Sequence, residues 1–168
     1  MNTPGAVRRF GCRSYGIVAI AVAALCVFAG GASAQNTTLA LAGAVITFAA
    51  PTSADYVAGF ANSATGVTFT VNATSGASRT TTVSIRSSSA NLGGGKVIGN
   101  LQWRRSDLAT WNSITTTNVQ VEQRVVVRNG TNDPWNNTIF FRMLLSWTTD
   151  APATYSANYV ITLSQTVP

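Results

Sequence analysis

From about residue 67 onward, apolar and polar side chains alternate with a period of two in one short segment after another. That is the spacing of half-buried β-strands. Val67, Phe69 and Val71 alternate with Thr68 and Thr70, and Val83 and Ile85 with Thr82, Ser84 and Arg86. Val97, Leu101 and Trp103 share one parity, opposite Asn100, Gln102 and Arg104. Val119, Val121, Val125 and Val127 share another, opposite Gln120, Glu122, Arg124 and Arg128. Ile139, Phe141, Met143, Leu145 and Trp147 form the longest predicted inward face, and Tyr155, Tyr159, Ile161 and Leu163 the last. Threonine, valine and aromatic residues suit such pleated surfaces. No segment carries apolar residues at i, i+3, i+4 and i+7 over helical length.

Turn signals punctuate these runs: Asn72 to Gly76, Asn91 to Gly95, Asn129-Gly130, Asn132-Asp133-Pro134 and Asp150-Ala151-Pro152. Seven or eight short strands at this spacing predict an all-β fold. The expected architecture is a single antiparallel β-sandwich, immunoglobulin-like or Greek-key, over residues 35–168. Phe140 and Leu144 place apolar groups on the second face of the 139–147 strand. They predict either cover by a loop or a stripe that meets a partner.

The N-terminus has a different pattern. Arg8, Arg9 and Arg13 precede an apolar run from Ile17 to Phe28, and Gly30-Gly31-Ala32-Ser33-Ala34 closes it with small residues. This is the layout of a secretory signal peptide, residues 1–34, cleaved after Ala34. A secreted protein, in the periplasm, on the cell surface or in the medium, is therefore expected, with no membrane attachment after cleavage. Leu25 before Cys26 does not fit a lipoprotein acceptor site. Cys12 and Cys26 both lie in this segment, so residues 35–168 form no disulfide and must hold together by packing.

Charge narrows the function classes. Residues 35–168 keep eight basic and five acidic side chains, a net +3, and Arg104-Arg105 is their only adjacent basic pair. Nucleic-acid binding, which rests on clustered Lys and Arg, is not expected. The chain has no histidine and no cysteine outside the signal segment, which removes the usual nucleophile–base systems and most zinc chemistry. Asp107, Asp133 and Asp150 read as turn residues, and no acidic cluster suggests a calcium cage or a carboxylate pair. A non-enzymatic protein with no cofactor and no metal is expected.

Two sets of residues remain as candidates. The first is an N-terminal strand. Leu39, Leu41 and Val45 share one parity while Ile46 and Phe48 take the other, with Gly43-Ala44 as the place for a bulge between them. Such a strand pairs within its own domain or adds to a neighbour's sheet edge, giving self-association or contact with an envelope partner. The sparse charge of the strands leaves edges poorly protected against such pairing. The second set is aromatic. Trp103 and Trp147 lie on inward parities and read as core. Trp111 and Trp135 fall in polar stretches, and with Asn132, Asn136 and Asn137 they could stack on and hydrogen-bond a glycan. The alternative for Trp135 is that it folds back to cap the open end of the sandwich, since a large indole rarely stays in water.

The closing segment, Ala153 to Leu163 with Tyr155, Tyr159 and Ile161 alternating, resembles the final strand of secreted bacterial immunoglobulin-like subunits of the spore coat protein U and chaperone–usher pilin type. The leading segment Thr38-Leu39-Ala40-Leu41 looks like their donor extension. Ala153-Thr154 stands where those proteins carry a glycine, and the disulfide of many such pilins is absent. The resemblance implies an exported structural or adhesive subunit that assembles by strand pairing.

Overall fold

A computed structural model describes residues 37–73, 78–127, 129–150 and 155–166, all within one unit, Gln35–Pro168. The predicted signal peptide, most of the Asn72–Gly76 and Asp150–Pro152 turns, and Ala153-Thr154 lie outside the described residues. In chain order the elements are β1 (Thr37–Ala42), α1 (Ser53–Ala58), β2 (Phe60–Asn62), β3 (Val67–Ala73), β4 (Arg79–Ser87), β5 (Asn91–Gly93) and β6 (Lys96–Val97). A 3-10 turn over Ile98–Asn100 leads into β7 (Leu101–Arg105), followed by β8 (Asn112–Ser113), β9 (Val119–Val126), β10 (Trp135–Leu144) and β11 (Tyr159–Thr166).

The result is an all-β domain with several antiparallel sheets. The largest has the order β1-β3-β10-β7-β8, with β2 also on β10; a second runs β11-β4-β9; β5 and β6 form a small hairpin. β10 organises the large sheet. One of its edges takes β3 along Trp135–Ile139 and then β2 along Arg142–Leu144, while the other pairs with β7 along Ile139–Met143. Gly66 makes the passage between β2 and β3 tight: a Cβ there would lie 2.6 Å from Thr138 Cγ2 and 2.9 Å from the Ile139 carbonyl.

The alternation does what its period requires. Val67, Phe69 and Val71 are wholly buried on β3, as are Val83 and Ile85 on β4 and Ile139 and Phe141 on β10. Residues of both larger sheets join one apolar cluster, in which Phe69, Trp103 and Phe141 meet Val83, Ile85 and Val126. Each such side chain contributes about 1.5–3 kcal/mol over leaving it in water. The turn glycines behave as predicted in the β5–β6 hairpin, where Gly93, Gly94 and Gly95 all have positive φ.

Four local expectations are corrected. A short helix, α1, exists: Thr52 and Asp55 form a reciprocal capping box and Gly59 closes the helix at φ +79°. The strand at 97–103 is broken by the 3-10 turn, so Ile98 is buried while Val97 is exposed. On β9 a register shift opposite Val83 and Ser84 leaves Val121 without a partner. This bulge flips the parity beyond it, so Glu122 and Val126 are buried and Val125 is 55% exposed. Trp147 falls beyond the end of β10 and is 63% exposed, stacked on Tyr56 of α1 at 4.3 Å between ring centroids.

Candidate functional site

The N-terminal arm is held in two ways. β1 pairs with β3 from Thr37 opposite Ala73 to Ala42 opposite Thr68, and among the described residues its other edge carries no strand. The predicted change of face occurs at Gly43, through a left-handed residue rather than a bulge. Gly43 sits at φ +71°, and a Cβ there would lie 2.8 Å from the Gly66 carbonyl oxygen. Beyond this hinge the chain leaves the sheet, and Ile46 and Phe48 turn half-buried onto the core, as Leu39 does from β1. The Tyr159 hydroxyl donates to the Ala44 carbonyl and ties the arm to β11. Burial raises the Tyr159 pKa above its ordinary value of 10.0, so the group remains a donor at neutral pH. Leu41 and Val45 stay in solvent, at 41% and 78% exposure.

The arm lies across a groove of about 390 Å³. Leu41 and Phe48 line it from the arm, Leu101 and Met143 from the large sheet, and Tyr159 and Ile161 from β11. β11 is itself an edge strand, since among the described residues only β4 pairs with it. Gln165 Nε2 donates to Thr37 Oγ1 at 2.6 Å, so the start of β1 meets the end of β11 while Ala44 meets the start of β11. The two edge strands therefore run in opposite directions along the groove.

Leu92 of β5 and Tyr155 also line the groove, and a buried ion pair anchors that end. Lys96 on β6 bonds to Asp150, each side chain being 4% exposed, and lies 5.6 Å from the Tyr155 ring centre. Burial pushes the Asp150 carboxyl up, but hydrogen bonds from Lys96 and the Ser146 backbone, together with the ammonium charge, hold it below its ordinary value.

The aromatic and amide candidates do not assemble into one site. Trp135 opens β10 and is 3% exposed, with its ring edge-on to Phe69 at 5.5 Å and Arg124 over its face at 4.7 Å. It belongs to the core. Asn132 is a left-handed turn residue whose side chain donates to the Val125 carbonyl. Asn137 accepts from Ser106 and donates to Asp107 and Glu122. It joins a network in which Glu122 pairs with Arg124 at 2.5 Å and Arg105 pairs with Asp107 at 2.5 Å. The Arg105 hydrogen bonds hold Asp107 below its ordinary pKa, and those to Asp107 raise Arg105. Asn136 is exposed. Trp111, unlike Trp135, faces solvent in part, on the outward side of the large sheet among Phe60, Arg104, Phe140 and Arg142.

Those neighbours of Trp111 and the groove residues Leu92, Leu101, Met143 and Tyr159 were not identifiable as site residues from sequence. The alternation assigns each a face, but which strands lie side by side is set by pairing over long sequence separations. Among the described residues no group of three or more His, Cys, Asp or Glu side chains is placed to hold a metal ion. Among them, too, no helix is long and apolar enough to cross a membrane. No family model, curated protein or solved structure matches the chain.

Proposed function

We propose that this protein is an exported, non-enzymatic structural or adhesive subunit of a bacterial envelope, and that it assembles through its N-terminal arm. In this reading the two larger sheets are the halves of an immunoglobulin-like, Greek-key sandwich. The observation that carries the proposal is the arm itself: an edge strand on β3, a glycine hinge at Gly43, and Ile46 and Phe48 inserted beside an open apolar groove. A segment held at one edge of a sheet can be exchanged for the same segment of another copy, because the pairing broken within one chain is remade between two. Leu39, Ile46 and Phe48, half-buried on the core in the single chain, then supply the buried contacts between chains. The resemblance of the first and last strands to spore coat protein U and pilin-type subunits supports the same reading.

Size-exclusion chromatography with light scattering on residues 35–168 and 50–168, each with and without excess 35–49 peptide, tests it. Concentration-dependent oligomers of the longer chain, together with stabilisation of the shorter one by the peptide, are expected. Monomers in both cases, with no effect of the peptide, refute arm exchange.

A further inference from the structure

The outward face of the large sheet carries an arrangement that arm exchange does not use. Register brings Phe140 opposite Arg104 and Arg142 opposite Gln102 across β10 and β7, and places Phe60 opposite Leu144 on the far side of β10. The side chains form an alternating row. Arg142 has its guanidinium 5.0 Å from the Phe60 ring centre and 4.6 Å from that of Trp111. Arg104 lies 5.2 Å from the same Trp111 ring and 5.4 Å from Phe140. Two like charges thus share one indole, and among the described residues neither has a carboxylate at ion-pair distance. Arg142 Nε donates to Gln102 Oε1 at 2.7 Å and Arg104 Nη1 to the Leu108 carbonyl at 2.8 Å, so both forks are oriented by neutral acceptors.

A guanidinium whose carbon lies over ring faces is held in place by them, and its outer N–H donors can bind a planar carboxylate in bidentate fashion. The row borders a hollow of about 370 Å³, with Asn62 and Ser63 among its lining, which is within the range of ligand clefts, about 300–1,000 Å³. We infer that this hollow binds a carboxylate-bearing glycan. The uronate carboxylate neutralises Arg104 and Arg142, the apolar ring faces lie against the aromatic side chains, and Asn62 and Ser63 take hydroxyls. Nucleic acid fits less well, because a strand of phosphates calls for an extended basic track and this site has two adjacent cations. The inference is independent of arm exchange, which takes place at another edge of the domain.

Affinity electrophoresis of the purified protein in gels containing polygalacturonate, fully methyl-esterified polygalacturonate or oligothymidylate provides the test. Retardation by polygalacturonate alone is expected, with binding weakened about tenfold or more in Arg142→Gln and abolished in the R104Q/R142Q variant at unchanged melting temperature. Equal binding to the esterified polymer, tighter binding to oligothymidylate, no retardation at all, or wild-type retardation of the double variant overturns the assignment. Should the double variant melt early, Arg142→Lys decides, since it keeps the charge and loses the planar fork. Weakened binding at an unchanged melt then supports the site, and wild-type binding overturns it.

Discussion

Replacing Lys96 with methionine leaves the stem of the side chain in place and removes the ammonium that Asp150 faces. Both partners are 4% exposed, and breaking one side of a buried pair typically costs about 3–5 kcal/mol. The Ser146 backbone N–H, 3.0 Å from the other carboxylate oxygen, still holds Asp150 in the variant, so the lower figure, about 3 kcal/mol, is expected at pH 7. In the wild type the carboxyl lies below its ordinary value of 3.8. Its contribution is therefore complete above that pH and is lost as pH falls through the depressed value. In the variant, burial without the lysine raises the same carboxyl, which is protonated at higher pH and ceases to be a buried charge. The gap in stability must consequently shrink as the solution is acidified. Urea unfolding followed by tryptophan fluorescence at pH 7, 5 and 3 measures it. With a slope of roughly 1–3 kcal/mol/M, a midpoint drop of about 1–3 M is expected at pH 7. A gap below about 1 kcal/mol at pH 7, or one that is unchanged at pH 3, refutes the account. The K96M/D150N variant should recover part of the loss, because a neutral amide of nearly the same volume replaces the unpaired charge and still accepts from the Ser146 N–H.

Other substitutions separate core from surface. Trp135→Ala should cost about 3–5 kcal/mol in chemical denaturation, whereas Trp111→Ala should change stability by less than about 1 kcal/mol; equal losses would contradict the opposite placement of the two rings. Gly43→Ala forces a Cβ into the left-handed region and against the Gly66 carbonyl. It should cost about 1–2 kcal/mol and increase proteolytic cleavage within residues 37–50, which an unchanged digestion pattern would disprove. Phe48→Ala, at a half-buried position, should lower stability by about 1–2 kcal/mol and weaken any oligomer of residues 35–168. A stabler oligomer would show that Phe48 does not serve docking.

Features other than alternation explain some of the differences between pattern and structure. Thr52, Asp55 and Gly59 bracket a helix too short to show a periodic apolar face, so its only trace is in its caps. On β9 the valines at 121 and 125 look equivalent in sequence, yet the bulge at Val121 sends Val125 to solvent and brings Glu122 inward. That inversion is tolerated because Arg124, Arg105 and Asn137 converge on the Glu122 carboxylate from three strands. Trp147 continues the parity of Met143 and Leu145, but the strand stops at Leu144 and the ring stacks on the helix instead.

Alternation was enough to give the all-β character and, for β3, β4, β7 and β10, which residues turn inward, while the short strands β2, β5 and β8 left no such trace. A period of two is a local property of the backbone, and Val67, Phe69, Ile85 and Phe141 announce it wherever they lie. Which strands are neighbours, and therefore what the outward and edge residues can do, depends on pairing between segments far apart in the chain. Arg104 and Arg142 are 38 positions apart and become one row because β7 and β10 pair in a particular register. Leu41, Phe48, Leu101, Met143 and Tyr159 border one groove because two sheets bring their edges together. Burial follows from hydrophobicity one residue at a time, whereas a site requires several distant residues to meet, and that depends on pairing and packing across the whole chain.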